Sequence, residues 1–99
     1  MERPLERDIQ AKILRWLRRQ PDVFAWPTVN DGSAVRGLPD IAGNVGLLAL
    51  YLEVKRPGAK PTPIQTALHA KIRRRGAAVF VVESLDDAVA AVESLRREG

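Results

Sequence analysis

Apolar positions along the chain follow two rhythms. Leu5, Ile9, Ile13, Trp16 and Leu17 recur at the spacing of an amphipathic helix. Pro4 suits its first turn, and the pattern runs to Gln20, just before Pro21. Val23 to Val29 is short, aromatic and β-branched, and reads as a strand. Asn30 to Leu38 holds Asn, Asp, Ser and two Gly and reads as a loop. Asp40 to Ala42 forms a short strand, opened by Pro39 and closed by Gly43-Asn44. Leu47 to Arg56 carries the strict alternation of a strand. Leu48, Leu50, Leu52 and Val54 point one way; Ala49, Tyr51, Glu53 and Lys55 point the other.

Pro57-Gly58 ends that strand. Thr62 is placed as an N-cap with Pro63 at the first helical position. Ile64, Leu68 and Ile72 make the apolar stripe of a second helix that Gly76 ends. Ala77 to Val82 is a strand of the buried type. Ser84 caps a last helix whose Leu85, Ala88, Val89, Val92 and Leu95 face inward. Trp16 and Trp26 are assigned to the core in preference to a base-stacking role. The order α-β-β-β-α-β-α predicts an α/β fold. Its strand–helix–strand unit, Leu47 to Val82, calls for parallel strands joined by a right-handed crossover.

Composition narrows the function classes. The 99 residues suit one domain, 1–99, with one small core and little stability to spare, so a partner subunit is expected. The chain has no Cys and one His, which excludes disulfides, thiolate chemistry and a His-rich zinc site. No leader-like or membrane-length apolar run is seen, and a cytoplasmic protein is expected. Charge is uneven. Residues 1–80 hold 14 basic and 7 acidic side chains, whereas residues 81–99 hold 2 and 5. Between Glu53 and Glu83 lie Lys55, Arg56, Lys60, Lys71, Arg73, Arg74 and Arg75 with no acid among them. Such a stretch is the footprint of a polyanion binder, though a solvated face would look the same.

Several residues sit badly in a bland core. Glu6 falls within the apolar arc of helix one. It is either a buried carboxylate needing a partner or a first-turn acid in water, favoured by the helix dipole. Asp40 alone is ordinary turn chemistry. Glu53 and Lys55 share one face of an otherwise apolar strand and could form a simple ion pair. With Asp40 at the mouth of a neighbouring strand, two carboxylates converge into an oxygen-rich site that suits Mg²⁺. A lysine beside it can orient a water and stabilise charge on a phosphate, so the implied chemistry is hydrolysis of a phosphodiester. Gln65 completes a capping box with Thr62, or else points toward the strand bearing Lys55. His69, one turn later, is read as a helix-surface residue touching phosphate. Arg36, Lys60, Arg73 and Arg74 are candidate phosphate contacts. Asn30, Asp31 and Ser33 lie in the loop before Asp40 with no assigned role.

Glu6, Gly37-Leu38-Pro39-Asp40, Glu53-Val54-Lys55 and Gln65, in this order, resemble the PD-(D/E)XK nuclease superfamily, and within it the VRR-Nuc (virus-type replication-repair nuclease) domain. The resemblance covers nearly the whole chain. It implies a restriction-endonuclease-like core, a mixed central sheet flanked by helices. Asp40, Glu53 and the Val54 backbone carbonyl would bind Mg²⁺, with Mn²⁺ able to substitute. Lys55 would position the attacking water. Glu6 would reach the metal directly or through water, and Gln65 would support the site from helix two. Stand-alone members of bacteria and phages resemble Holliday-junction resolvases acting as homodimers on branched DNA, without an organic cofactor. A two-fold dimer matches the two symmetric cuts a four-way junction needs. A flap or general branched-DNA nuclease, a non-catalytic nucleic-acid-binding module and a metal-free structural protein are the competing readings.

Overall fold

A computed structural model of the chain describes residues 4–29 and 35–99. The elements follow the expected order: α1 (Glu6–Leu17), β1 (Val23–Pro27), β2 (Ile41–Val45), β3 (Leu48–Val54), α2 (Pro63–Arg74), β4 (Ala78–Val82) and α3 (Leu85–Glu98). The four strands form one mixed sheet in the order β1-β2-β3-β4. β1 and β3 run antiparallel to β2, and β4 runs parallel to β3 with α2 as the crossover. The element order and the parallel β3–β4 pair are those that the apolar pattern predicts, and the mixed sheet is the one that the family resemblance implies.

Two faces of the sheet have different coverings. Leu50, Leu52 and Val54 of β3 join Ile9, Ile13, Leu14 and Leu17 of α1 and Ala88, Ala91, Val92 and Leu95 of α3 in one core. α2 packs on β4 and meets the opposite face, where Glu53 points. Its apolar stripe is less buried than its spacing suggests. Ile64 is exposed, and His69 is the one buried residue of the helix. Trp16 packs against the core as expected, but Trp26 does not. Trp26 lies exposed on the edge strand β1 with its ring against Phe24.

The hairpin between β2 and β3 corrects one boundary. Gly43-Asn44 lies inside β2, and the turn falls at Gly46-Leu47. Gly43 is no breaker here. A Cβ at that position would lie 2.7 Å from the Ala25 Cα, so glycine lets β1 approach. The Asn44 amide donates to the Gly46 carbonyl at 2.9 Å and secures the turn.

Arg96 ties the last helix to the first half of the chain. Its guanidinium donates twice to Asp22 (2.9 and 2.8 Å) and once each to Gln20 (3.0 Å) and Glu93 (2.9 Å). This fork holds the Asp22 carboxyl below its usual range. Among the described residues, no helix is long and apolar enough to cross a membrane.

Gly43→Ala should lower stability by about 1–3 kcal/mol in urea unfolding, because β1 must retreat. A variant as stable as wild type would show that the β1–β2 approach is not tight.

Candidate active site

The site forms where β3 ends. Alternation along β3 sends Glu53 to the face opposite the core, and α2 closes over it. The Glu53 side chain is 1% exposed, a costly position for a carboxylate unless neighbours compensate. Asp40 approaches from the bend before β2. Its Oδ2 accepts the Val54 N–H at 2.7 Å, which locks Asp40 to the backbone of β3. The Asp40 backbone carbonyl accepts from Thr28 N at 2.8 Å, so β1, β2 and β3 all fix this corner.

Lys55 lies one step beyond β3 and keeps the pairing going, its N–H donating to the Val82 carbonyl at 2.9 Å. Its Nζ stands 4.0 Å from Glu53 Oε2 with 11% of the side chain exposed. Strand alternation thus puts Glu53 and Lys55 side by side, as the spacing predicts.

Gln65 resolves its two readings by doing both at once. Its Oε1 accepts from Thr62 N at 2.9 Å, while the Thr62 hydroxyl accepts from Gln65 N at 3.2 Å, a complete capping box. The same side chain turns its Nε2 to Glu53 Oε2 at 3.5 Å. The amide oxygen caps the helix and the amide nitrogen faces the carboxylate.

His69 is not a surface residue. It is 2% exposed, and its Nε2 lies 3.3 Å from Glu53 Oε1. The expectation that it touches phosphate is therefore corrected: the ring is spent on Glu53. One feature of the sequence could have placed it. His69 is four residues after Gln65 and so shares its helix face.

These neighbours set the proton affinity of the site. Burial, then the hydrogen bond and charge of Asp40, push the Glu53 carboxyl up to about 8, against a smaller pull from Lys55. Burial first, then Arg73 and Lys55, hold the His69 imidazole below its ordinary value. A protonated Glu53 can share its proton with Asp40, and a cation between the two would replace that proton.

Glu6 opens α1 and is exposed. It shares the arc of Ile9, Ile13 and Leu17 but stands exposed because it is the first residue of the helix, where it and Asp8 are favourable first-turn acids. Its charge still reaches Glu53. Arg36 and Lys60 are exposed. Arg36 precedes Gly37, whose backbone packs on the start of α2. Gly37 has φ +81°, and a Cβ there would lie 2.8 Å from the Ile64 carbonyl oxygen. The Gly of Gly37-Leu38-Pro39-Asp40 thereby docks the site loop on the helix that bears Gln65. Arg74 is exposed. The Arg73 guanidinium donates to the Val79 carbonyl at 2.8 Å and covers the edge of β4. Asn30, Asp31 and Ser33 lie outside the described residues. Among the described residues, no three His, Cys, Asp or Glu side chains form a ready cage. Asp40 and Glu53 are a pair, which fits a cation that completes its shell with carbonyl, water and phosphate oxygens.

No family model and no curated protein matches the sequence. Solved structures do. A VRR_NUC domain protein superposes with TM-score 0.82 at 17% identity, over 99% of this chain and 93% of its own. A second VRR_NUC domain superposes with TM-score 0.74 at 27% identity, over 89% of this chain and 94% of its own. Hjc, a Holliday junction resolvase from the archaeal hyperthermophile Archaeoglobus fulgidus, superposes with TM-score 0.51 at 22% identity. That match covers 77% of this chain and 61% of the resolvase. The mixed sheet and its helices are thus the fold these proteins share. Within that class, the chain is superposed more fully on the two VRR_NUC domains than on the resolvase, and it shares their fold over nearly its whole length.

The raised Glu53 carboxyl gives stability a sign. The folded protein keeps a proton that the unfolded chain releases in the ordinary carboxylate range. Its contribution is full below about pH 4.5 and is lost as the pH rises to about 8. Without divalent cations the melting temperature should fall across that window, by an equivalent on the order of a few kcal/mol. Glu53→Gln should flatten the slope, and a slope it leaves unchanged would contradict this placement.

Proposed function

We propose that this protein is a Mg²⁺-dependent, structure-specific DNA endonuclease that hydrolyses phosphodiester bonds, and that its substrate is the Holliday junction, cut by a homodimer. The observation that carries the reading is the corner where buried Glu53, backbone-locked Asp40 and adjacent Lys55 meet at the end of β3. Two acids and a lysine have no reason to share a mostly buried corner as a simple surface ion pair. They fit a site for a cation and a phosphate.

Asp40 and Glu53 would hold Mg²⁺ or Mn²⁺, with the Val54 carbonyl beside them and Glu6 acting from the solvent side through water. The bound cation would neutralise phosphate charge and make a nearby water more acidic. Lys55 holds a cationic group at the same corner, where it can orient the attacking water and meet the charge that develops on phosphorus oxygens. Gln65 holds Glu53 in place from α2. Exposed Arg36, Lys60 and Arg74 supply backbone contacts that follow shape more than sequence. The resolvase fold neighbour supports DNA as the substrate. One catalytic corner per chain and two symmetric cuts per junction call for two copies. The exposed Phe24–Trp26 pair on edge strand β1 supports such self-association.

Cleavage of a fixed four-way junction, beside duplex and flap controls, tests the substrate. Paired symmetric nicks that need Mg²⁺ and vanish with EDTA are expected. Flap cutting instead would keep the nuclease and move its substrate. Lys55→Ala and Glu53→Gln should each lower the cleavage rate by roughly a hundredfold or more while junction binding stays near wild type. Tight binding with no cleavage by the folded wild type would replace the enzyme with a binding module. Sedimentation equilibrium should give twice the chain mass, and Trp26→Glu should return it toward the monomer.

A further inference from the structure

His69 is the one fully buried residue of α2, and it is buried against a carboxylate. An aliphatic side chain would fill that space at lower cost, since a buried imidazole needs a hydrogen-bond partner. Its partner is Glu53 Oε1, 3.3 Å from Nε2, while Gln65 Nε2 stands 3.5 Å from the other oxygen, Oε2. Each Glu53 oxygen is therefore faced by a different side chain of one helix, four residues apart. The capping box fixes where that helix begins and so fixes both donors. Once Glu53 is ionised, as cation binding requires, the bond to Oε1 places the imidazole proton on Nε2. We propose that His69 is a positioning residue, which with Gln65 clamps the Glu53 carboxylate in the orientation that receives a divalent cation beside Asp40.

His69 lies beneath Glu53 and away from solvent, so it touches neither DNA nor the scissile phosphate. It acts through Glu53, as groups behind metal-binding carboxylates do. This rests on the metal-dependent reading of the site, and the test separates the two. Mn²⁺ alone is titrated into the full chain by calorimetry, with a thermal melt of each variant. His69→Leu fills the space without a donor. It should melt at or above the wild-type temperature yet bind Mn²⁺ about 10–100-fold more weakly. His69→Gln can place an amide nitrogen at the reach of Nε2 and should keep most of the affinity. His69→Asn falls short of that reach and should lose it.

If His69→Leu binds Mn²⁺ as tightly as wild type, the positioning role is overturned and the ring is a core filler. If His69→Leu does not fold, the Gln and Asn variants decide, and equal affinities overturn the proposal. If wild type binds no Mn²⁺, the metal reading fails and the positioning role fails with it. A loss in His69→Leu that His69→Gln restores supports the clamp.

Discussion

A carboxylate almost wholly removed from water, facing a second carboxylate, is the constraint around which this small domain is arranged. Burying Glu53 next to Asp40 would be prohibitive if both were charged and nothing answered them. The structure answers in three ways. Glu53 raises its affinity for a proton. Gln65 and His69 present hydrogen-bonding nitrogens to its two oxygens. Lys55 places a cationic group 4.0 Å away. Each answer is partial, and in the proposed function a divalent cation completes them.

The surrounding elements serve this corner in recognisable ways. β3 is central and pairs with both neighbours, so the alternation that buries Leu50, Leu52 and Val54 in the core also aims Glu53 and Lys55 the other way. The Val54 N–H holds Asp40 in place, and Gly37 lets the loop before Asp40 settle on α2. α2 is a weak hydrophobic element, with Ile64 exposed and an imidazole as its one buried side chain. That weakness makes sense for a helix whose inward face meets a polar site. The Arg96 fork to Asp22, Gln20 and Glu93 pins the last helix at a distance from the chemistry. The hydrophobic core and the candidate site thus lie on opposite faces of one sheet.

Much of this was legible in the sequence. Element order, the strict alternation of Leu47 to Arg56 and the Thr62–Pro63 cap follow from local rules that the tertiary structure does not override. Glu53 and Lys55 were legible because a carboxylate and a lysine interrupting an apolar strand break the pattern of a bland core; Asp40 gained meaning only beside them, and Gln65 joined the set through the family resemblance. Three features were not. Gly43 looked like a strand end because composition cannot tell a breaker from a close backbone approach. Trp26 looked like core because aromatic residues usually are, yet its strand lies at the sheet edge. His69 looked like surface because it stands in a basic helix. Only the face it shares with Gln65 hinted at Glu53, and a helix face says nothing of what lies across from it.

How Glu53 holds its proton and gives it up decides what this corner can do. The most direct measurement is a ¹³C NMR titration of the Glu53 side-chain carboxyl in the whole chain, with and without Mg²⁺. Without the cation, the signal should titrate far above the ordinary carboxylate range, near 8. With Mg²⁺ present, it should be ionised at neutral pH and below. A carboxyl that titrates near its ordinary value and ignores Mg²⁺ would contradict the account, because Glu53 would then be neither strained by burial nor waiting for a cation.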